Sequence, residues 1–254
     1  MVKAAWWRQD VPGNPMMSEQ SPPRRLLAAI FDVDGVLVAS PHERAWREAL
    51  AGYADPARFT TEFYQANVAG KPRLAGARAA LDGLGVADAA ARAADYAETK
   101  QALIERLIEA GEFEAFPDAV RLAVALRAAG LRLALASSSK NVAAMLRRLT
   151  VPGDGALLAI FDADLSGTDV PRGKPDPALF LLAARALNVP AVQCLVIEDA
   201  PAGIEAARAG GMASLGIARL GDAALLRAAS AELVVTSLDQ VDVAAIANGV
   251  LRTR

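Results

Sequence analysis

The chain has 254 residues, of which 54% are hydrophobic and 22% are charged, and its formal net charge is −2. These values are typical of a globular protein with one large or two smaller domains, and they disfavour nucleic acid or an anionic membrane as a partner. No apolar run approaches the roughly 18 residues that a membrane-spanning helix requires. The single cysteine, Cys194, excludes an internal disulfide and favours a reducing compartment. We therefore expect a cytoplasmic protein, and the absence of a heptad repeat favours a monomer.

Residues 1–25 differ in composition from the rest of the chain. They contain four prolines, mixed polar residues and the pair Trp6-Trp7, and they have no long apolar stretch of the kind found in a secretory signal. We predict a disordered or loosely docked N-terminal tail.

Short apolar runs alternate with helical patterns from residue 26 onward. The predicted strands are Leu26 to Val33, Leu131 to Ala136, Leu158 to Phe161, Cys194 to Ile197, Ala213 to Ile217 and Leu233 to Val235. The predicted helices are Asp118 to Ala129, Asn141 to Leu149, Pro177 to Leu187 and Pro201 to Ala209. This alternation predicts an α/β fold with a doubly wound, Rossmann-like parallel sheet, in which Cys194 is a small core residue.

One block breaks the alternation, because residues 41–112 show helical patterns and no convincing strand. Helices inserted after the first strand would form a cap above the carboxyl edge of the sheet, where they could close over a substrate and exclude water. We predict a core domain of residues 26–39 and 115–254 and a helical cap domain of residues 40–114.

Two carboxylates, Asp32 and Asp34, follow the first predicted strand, and Gly35 supplies a turn directly after them. Open α/β sheets bind ligands at the carboxyl ends of their strands, so both side chains are expected in a site. One of them could attack phosphorus while the other moves a proton. A loop that merely contains acidic residues is the alternative interpretation.

Three further motifs follow later predicted strands and place complementary chemistry at the same edge. The serine run that starts at Ser137 precedes a helix, where hydroxyl and backbone N–H groups can bind phosphate, although such serines are often only helix caps. Lys174 lies in a Gly-Lys-Pro-Asp-Pro loop and could neutralise phosphate and carboxylates. Glu198 and Asp199 follow a very apolar strand, and adjacent buried acids need a pairing group or a hard metal ion such as Mg²⁺.

The order and spacing of these four motifs, from about Arg25 to Asp239, resemble the haloacid dehalogenase superfamily of aspartyl-phosphate enzymes. The resemblance implies that Asp32 is the nucleophile and that Asp34 is the general acid and base. It implies that the phosphoryl group is bound by Ser137, Ser138 and Lys174. It also implies Mg²⁺ as cofactor, held by Asp32, the main-chain carbonyl of Asp34, Glu198 and Asp199.

In the predicted cap the chain reads His42-Glu43-Arg44-Ala45-Trp46, then Gly70-Lys71-Pro72-Arg73, then Thr99-Lys100, and Glu198-Asp199 is followed by Ala200-Pro201-Ala202-Gly203. Together with the serine run up to Asn141, these motifs look like the β-phosphoglucomutase-like subgroup, which includes phosphosugar phosphatases. That resemblance implies a small phosphosugar as the partner. It also implies that the substrate is contacted by His42, Trp46, Gly70, Arg73, Lys100, Ser139 and Asn141. Each of the cap residues also has an ordinary interpretation, as a packing residue or a solvated charge.

The chain departs from the subgroup pattern in two places. Ala39 stands where an aspartate is usual, in a connection two residues shorter that contains Pro41, and Ala69 stands where the mutases have a lysine. Mutase chemistry requires excluding water, so we favour a phosphomonoester hydrolase, with a β-phosphoglucomutase-type phosphomutase as the alternative. A non-enzymatic binding or regulatory protein on this fold is a third interpretation.

Overall fold

The computed structural model of the protein describes residues 25–151 and 155–254. The predicted N-terminal tail, apart from Arg25, lies outside the described residues. The described strands are β1 (Ala28–Phe31), β2 (Val38–Ala39), β3 (Glu114–Ala115), β4 (Arg132–Leu135), β5 (Thr150–Val151), β6 (Gly155–Ala156), β7 (Ala163–Asp164), β8 (Cys194–Glu198), β9 (Ala213–Ile217) and β10 (Leu233–Val235). The α-helices are α1 (His42–Glu48), α2 (Thr61–Asn67), α3 (Arg73–Gly83), α4 (Ala89–Glu109), α5 (Pro117–Ala128), α6 (Val142–Leu146), α7 (Ala178–Ala186), α8 (Pro201–Ala209), α9 (Ala223–Ala228) and α10 (Val243–Ala247).

The main sheet has six parallel strands in the order β10-β9-β8-β1-β4-β7. Side chains of successive strand residues point to opposite faces, so β1 contributes Phe31 to one apolar cluster and Ile30 to another. Helix α5 packs on the first face, and α7 and α8 pack on the second. Cys194 lies in the second cluster, is fully buried and forms no disulfide, as predicted. The predicted doubly wound α/β fold is therefore confirmed.

Five of the six predicted strands are present, but the strand predicted at Leu158 to Phe161 is wrong. Residues Leu157–Ile160 form a 3₁₀ helix, and the edge strand β7 begins only at Ala163. A period of three residues puts Leu157 and Ile160 on the same side, where both are buried against the first cluster. The short apolar run was predicted as a strand because periodicity alone does not distinguish a buried strand from a buried helical turn in so short a segment. The four predicted helices are present as α5, α6, α7 and α8, with α6 shorter than expected.

Between residues 41 and 112 the structure has helices and no strand. Helices α1 to α4 bury their own apolar cluster, which includes Trp46, Leu50, Phe59, Leu81 and Tyr96. Two short strands that the sequence did not reveal, β2 and β3, pair antiparallel where the chain enters and leaves this helical segment. The paired strands hold the two connections between the sheet and the helical segment side by side, at the carboxyl edge of the sheet.

Candidate active site

The turn after β1 presents Asp32 and Asp34 at the centre of the sheet edge. The amide of Asp32 still donates to Ile197 O, at 3.0 Å, so this residue continues the pairing with β8. Gly35 then adopts a φ of +85°, and a Cβ atom there would lie 2.0 Å from Asp199 Oδ2. Glycine is therefore required both for the turn and for the close approach of the Asp199 carboxylate.

Lys174 forms two buried ion pairs in this centre. Its Nζ lies 2.5 Å from Asp32 Oδ1 and 2.6 Å from Glu198 Oε1, and all three residues are at most 4% exposed. Burial lowers the pKa of Lys174, but the charges of Asp32 and then Glu198 outweigh it and raise the pKa above its usual value. The ammonium group therefore stays charged and offsets part of the negative charge of the two carboxylates.

An acidic cluster at the same place fits a hard divalent cation. Asp32, Glu198 and Asp199 each offer a carboxylate oxygen, and these oxygens all lie within 4.8 Å of one another. Burial and mutual repulsion raise the pKa of Asp199 well above its usual value, and burial raises that of Glu198 to about 7. A Cβ atom at Gly203 would lie 1.9 Å from Glu198 Oε1, so the first turn of α8 leaves room for this carboxylate. Oxygen ligands arranged in this way suit an ion such as Mg²⁺.

The serine run follows β4 and lies beside Asp34, on the side of β1 opposite to β8, the strand that ends at Glu198. Ser137 is buried, and its Oγ donates toward Asp34 Oδ2 at 3.4 Å while it accepts from the amide of Ser139 at 3.1 Å. Ser138 Oγ donates to Gly70 O, at 3.4 Å, which is a contact between the sheet edge and the helical segment. Ser139 Oγ accepts from the amide of Asn141, so the loop is held by its own side chains before α6 begins.

Asp34 also faces two basic side chains, of which Lys100 is buried and His42 is partly buried. His42 Nε2 lies 3.5 Å from Asp34 Oδ1, and His42 Nδ1 lies 2.6 Å from Lys100 Nζ, which sits over the Trp46 ring at 4.8 Å. Burial lowers the pKa of Lys100 to about 7, with the charge of Asp34 opposing and that of Arg73 adding to the shift. Burial, followed by the charge of Lys100, holds the pKa of His42 well below its usual value.

Burial also raises the pKa of Asp34, against the lowering effects of nearby hydroxyl and ammonium groups. A carboxyl group with a raised pKa holds its proton more readily, as a general acid must. A neutral His42 can hold the Asp34 carboxyl group in place without adding a positive charge beside it.

A cavity of about 290 Å³ brings most of the predicted site residues together. Its walls include Asp32, Asp34, His42, Trp46, Gly70, Arg73, Lys100, Ser137, Ser138, Ser139, Asn141 and Asp199. Lys174 and Glu198 lie directly behind Asp32 and do not line it. Arg73 is half exposed and faces Glu98 at 3.7 Å, and Asn141 Oδ1 accepts from Gln101 Nε2 at 3.0 Å.

The cavity also has walls that the sequence did not single out, namely Tyr64, Lys71, Gln101 and Lys140. Lys140 pairs with Asp169 at 2.9 Å. It directly follows the three serines, and this position is the one feature of the sequence that could have indicated its place in the cavity wall. Tyr64 gave no signal, because an aromatic residue on a helix is most simply interpreted as packing.

The family model described as haloacid dehalogenase-like hydrolase matches residues 26–211. The chain belongs to this hydrolase family. The β-phosphoglucomutase of Mycobacterium bovis is 33% identical over 244 residues, which cover 86% of this chain and 92% of the relative. Hexitol phosphatase A of Escherichia coli is 31% identical over 225 residues, covering 87% and 95%. The crystal structure of an archaeal β-phosphoglucomutase from Pyrococcus sp. strain ST 04 matches with a TM-score of 0.66 at 32% identity, over 84% of this chain and 93% of that one.

These comparisons confirm the predicted family, its β-phosphoglucomutase-like relatives and the prediction that the chain is an enzyme. Among the described residues, no helix combines the length and the apolar character needed to cross a membrane.

Proposed function

We propose that this haloacid dehalogenase-like hydrolase is a Mg²⁺-dependent phosphomonoester phosphatase that acts on a small phosphosugar. The observation that carries the proposal is the position of Asp32, which pairs with the cation of Lys174 at 2.5 Å and also belongs to the acidic cluster that fits a divalent ion. On the open side of Asp32, Asp34 and Ser137 line the cavity. The site thus places a nucleophile, a general acid and base, and compensating positive charge around the position of the reacting phosphorus.

In the first step, a carboxylate oxygen of Asp32 attacks phosphorus and forms an aspartyl phosphate, and the bond from phosphorus to the sugar oxygen breaks. Asp34 gives its proton to that leaving oxygen, for which its raised pKa is suited. Ser137 and Ser138, on the cavity wall, donate hydrogen bonds to the phosphoryl oxygens, and the Lys174 ammonium group behind Asp32 offsets their charge as it develops. Mg²⁺ bound by Asp32, Glu198, Asp199 and the Asp34 carbonyl would reduce the repulsion between the phosphate and Asp32.

In the second step, a water molecule attacks the aspartyl phosphate and gives a proton to Asp34. The Asp32–phosphorus bond breaks, inorganic phosphate leaves, and Asp34 is again protonated for the next substrate. Each step is mostly a matter of position and charge, since the reacting groups are already assembled.

We attribute substrate choice to the helical segment, which we propose is a cap domain of residues 40–114 on a core of residues 26–39 and 115–254. Arg73 and Lys100 lie on the wall that this segment contributes to the cavity, and Ser139 and Asn141 lie on the other wall. Two cations there suit a second, non-reacting anionic group, and the hydroxyl and amide groups suit a sugar. His42, Trp46 and Gly70 complete the contacts that we assign to the substrate. We place the enzyme in the cytoplasm, where the buried Cys194 thiol would stay reduced.

A β-phosphoglucomutase-type phosphomutase is the second candidate. It is favoured by the same cations, because a mutase must hold a bisphosphate by its non-reacting phosphate while the other phosphate reacts. The altered connection around Ala39 and Pro41 favours the hydrolase, as does the absence of a lysine at Ala69.

Product analysis separates these candidates. Purified protein with Mg²⁺ is incubated with β-glucose 1-phosphate and a trace of glucose 1,6-bisphosphate, and the products are followed by ³¹P NMR. Inorganic phosphate as the main product supports the phosphatase. A growing glucose 6-phosphate signal with little inorganic phosphate identifies the mutase. If neither signal appears, glucose phosphates are not substrates, and a panel of other phosphosugars is tested; no turnover of any phosphomonoester would refute the proposed function.

A further inference from the structure

Arg219, just after β9, links two distant parts of the chain at the carboxyl edge of the sheet. Its side chain is only 15% exposed. The guanidinium group donates from Nε to Gly35 O and from Nη2 to Val36 O, both at 3.1 Å. Both carbonyls belong to the turn that directly follows Asp34. The backbone that carries the proposed proton donor is therefore held from behind by one side chain.

The same guanidinium group forms a two-pronged ion pair with Asp118, at 3.0 and 3.1 Å. It also lies over the Phe116 ring, 3.7 Å from the ring centroid. Phe116 and Asp118 flank the start of α5, directly after β3. Arg219 therefore joins the Asp34 turn to the point where the chain returns from the helical segment.

Asp118 is itself fixed, so the link does not end in a mobile side chain. Its Oδ2 accepts from the amide of Leu238 at 2.8 Å and from Ser237 Oγ at 3.2 Å. Although burial opposes it, hydrogen bonds from Arg219 and Leu238 keep the pKa of Asp118 below its usual value. The carboxylate remains charged and oriented, and it orients the guanidinium plane in turn.

We propose that Arg219 is a positioning residue that sets the place of the Asp34 carboxyl group for protonation of the leaving oxygen. The inference rests on the proposed function, because it presumes that Asp34 carries the proton. A displacement of about 1 Å at a reacting group can cost about a hundredfold in rate. A lysine at this position keeps the charge but has one compact ammonium group, which cannot reproduce the planar fork that meets two carbonyls and a carboxylate.

The consequence is a selective defect. An ester with a poor leaving group needs its leaving oxygen protonated, whereas one with a good leaving group reacts with little help from an acid. Phenyl phosphate and 4-nitrophenyl phosphate are similar in size but differ in this respect, since phenol is the much weaker acid. Their kcat/KM values report the steps up to departure of the leaving group and are not affected by later hydrolysis of the aspartyl phosphate.

The test compares Arg219→Lys with the matched control Arg121→Lys. Arg121 also forms a two-pronged ion pair, with Asp239 at 2.6 and 2.9 Å, but it is exposed and contacts neither the Asp34 turn nor the cavity. We expect Arg219→Lys to lower kcat/KM for phenyl phosphate by between about tenfold and a hundredfold, and for 4-nitrophenyl phosphate by less than about threefold. The control is expected to leave both values unchanged.

A second variant uses a separate cavity of about 190 Å³ that Arg219 and Asp34 both line. In Arg219→Ala, guanidinium ion can enter this cavity. A low, non-denaturing concentration of guanidinium chloride is therefore expected to restore part of the rate of phenyl phosphate hydrolysis, with no such effect on wild type. If either variant fails to fold by circular dichroism, Asp118→Asn replaces it, and the same selective loss is expected in smaller measure.

Equal losses on both esters, or no loss on either, would overturn the positioning role. Absence of turnover by the wild-type protein on both esters and on every phosphosugar of the panel would instead refute the proposed function itself. The two failures are therefore distinguishable.

Discussion

Removing the Lys174 cation should destabilise the metal-free protein strongly, and more strongly as the pH rises. Lys174→Met keeps the volume but leaves Asp32 and Glu198 buried together without their shared counterion. Breaking a buried ion pair by removing one partner costs about 3–5 kcal/mol. We expect a loss of this size in the free energy of unfolding at about pH 8.5 with a chelator present.

The pH dependence arises because the folded variant keeps protons that the folded wild-type protein releases. Burial already raises the pKa of Glu198 to about 7 in the wild-type protein. Without Lys174 the pKa values of Glu198 and Asp32 rise further, so the folded variant binds protons that folded wild type has released. The deficit should then grow with pH above about 7, by up to about 1.4 kcal/mol per pH unit for each extra proton.

Urea unfolding of both proteins at about pH 6 and about pH 8.5 measures this. The control is Lys140→Met, because Lys140 pairs with Asp169 on the surface and exposed pairs contribute little. A deficit of Lys174→Met that is equal at the two pH values, or smaller at the higher one, would contradict the reasoning. Saturating Mg²⁺ should reduce the deficit, since the ion neutralises the same carboxylates.

Four further predictions concern turnover of a phosphosugar. Asp32→Asn should abolish turnover, because the neutral amide is not a nucleophile, while circular dichroism should show the same fold, since Lys174 keeps its ion pair with Glu198. Chelation of Mg²⁺ should also abolish turnover, and added Mg²⁺ should restore it. Arg73→Ala should raise KM at least about tenfold for the phosphosugar but leave KM for 4-nitrophenyl phosphate unchanged. The control is Arg78→Ala, an exposed site on the same helix, which should change neither value. Equal loss on both substrates would make Arg73 structural. Since burial lowers the pKa of Lys100 to about 7, Lys100 loses its charge above that pH. We therefore expect kcat/KM to fall as the pH rises through 7, and the fall to be smaller in Lys100→Met, where only the deprotonation of Asp34 contributes to it.

The sheet and its active edge could be predicted because their signals are local. Each apolar run that became β1, β4 or β8 ends in a polar motif, and the parallel order of the strands brings those ends together without further information. The run at Leu158 to Phe161 has the same composition, but its residues pack against α5 from a helical turn. Only the tertiary contact distinguishes the two cases.

The side chains that complete the site depend on contacts between distant segments. Arg219 is an ordinary arginine in the sequence, and its role arises only where β9 passes behind the turn at Gly35. Tyr64 and Lys71 line the cavity because of how α2 and α3 sit over the sheet edge. Strands β2 and β3 have two residues each, which is too short for any periodicity.

An aspartyl phosphate on Asp32 can be detected directly. The protein is mixed with Mg²⁺ and excess 4-nitrophenyl phosphate, quenched rapidly in acid, digested and analysed by mass spectrometry. We expect a phosphorylated peptide whose modification maps to Asp32 and is absent from Asp32→Asn. Turnover of the substrate by wild type with the phosphoryl group on another residue, or undiminished turnover by Asp32→Asn, would contradict this expectation.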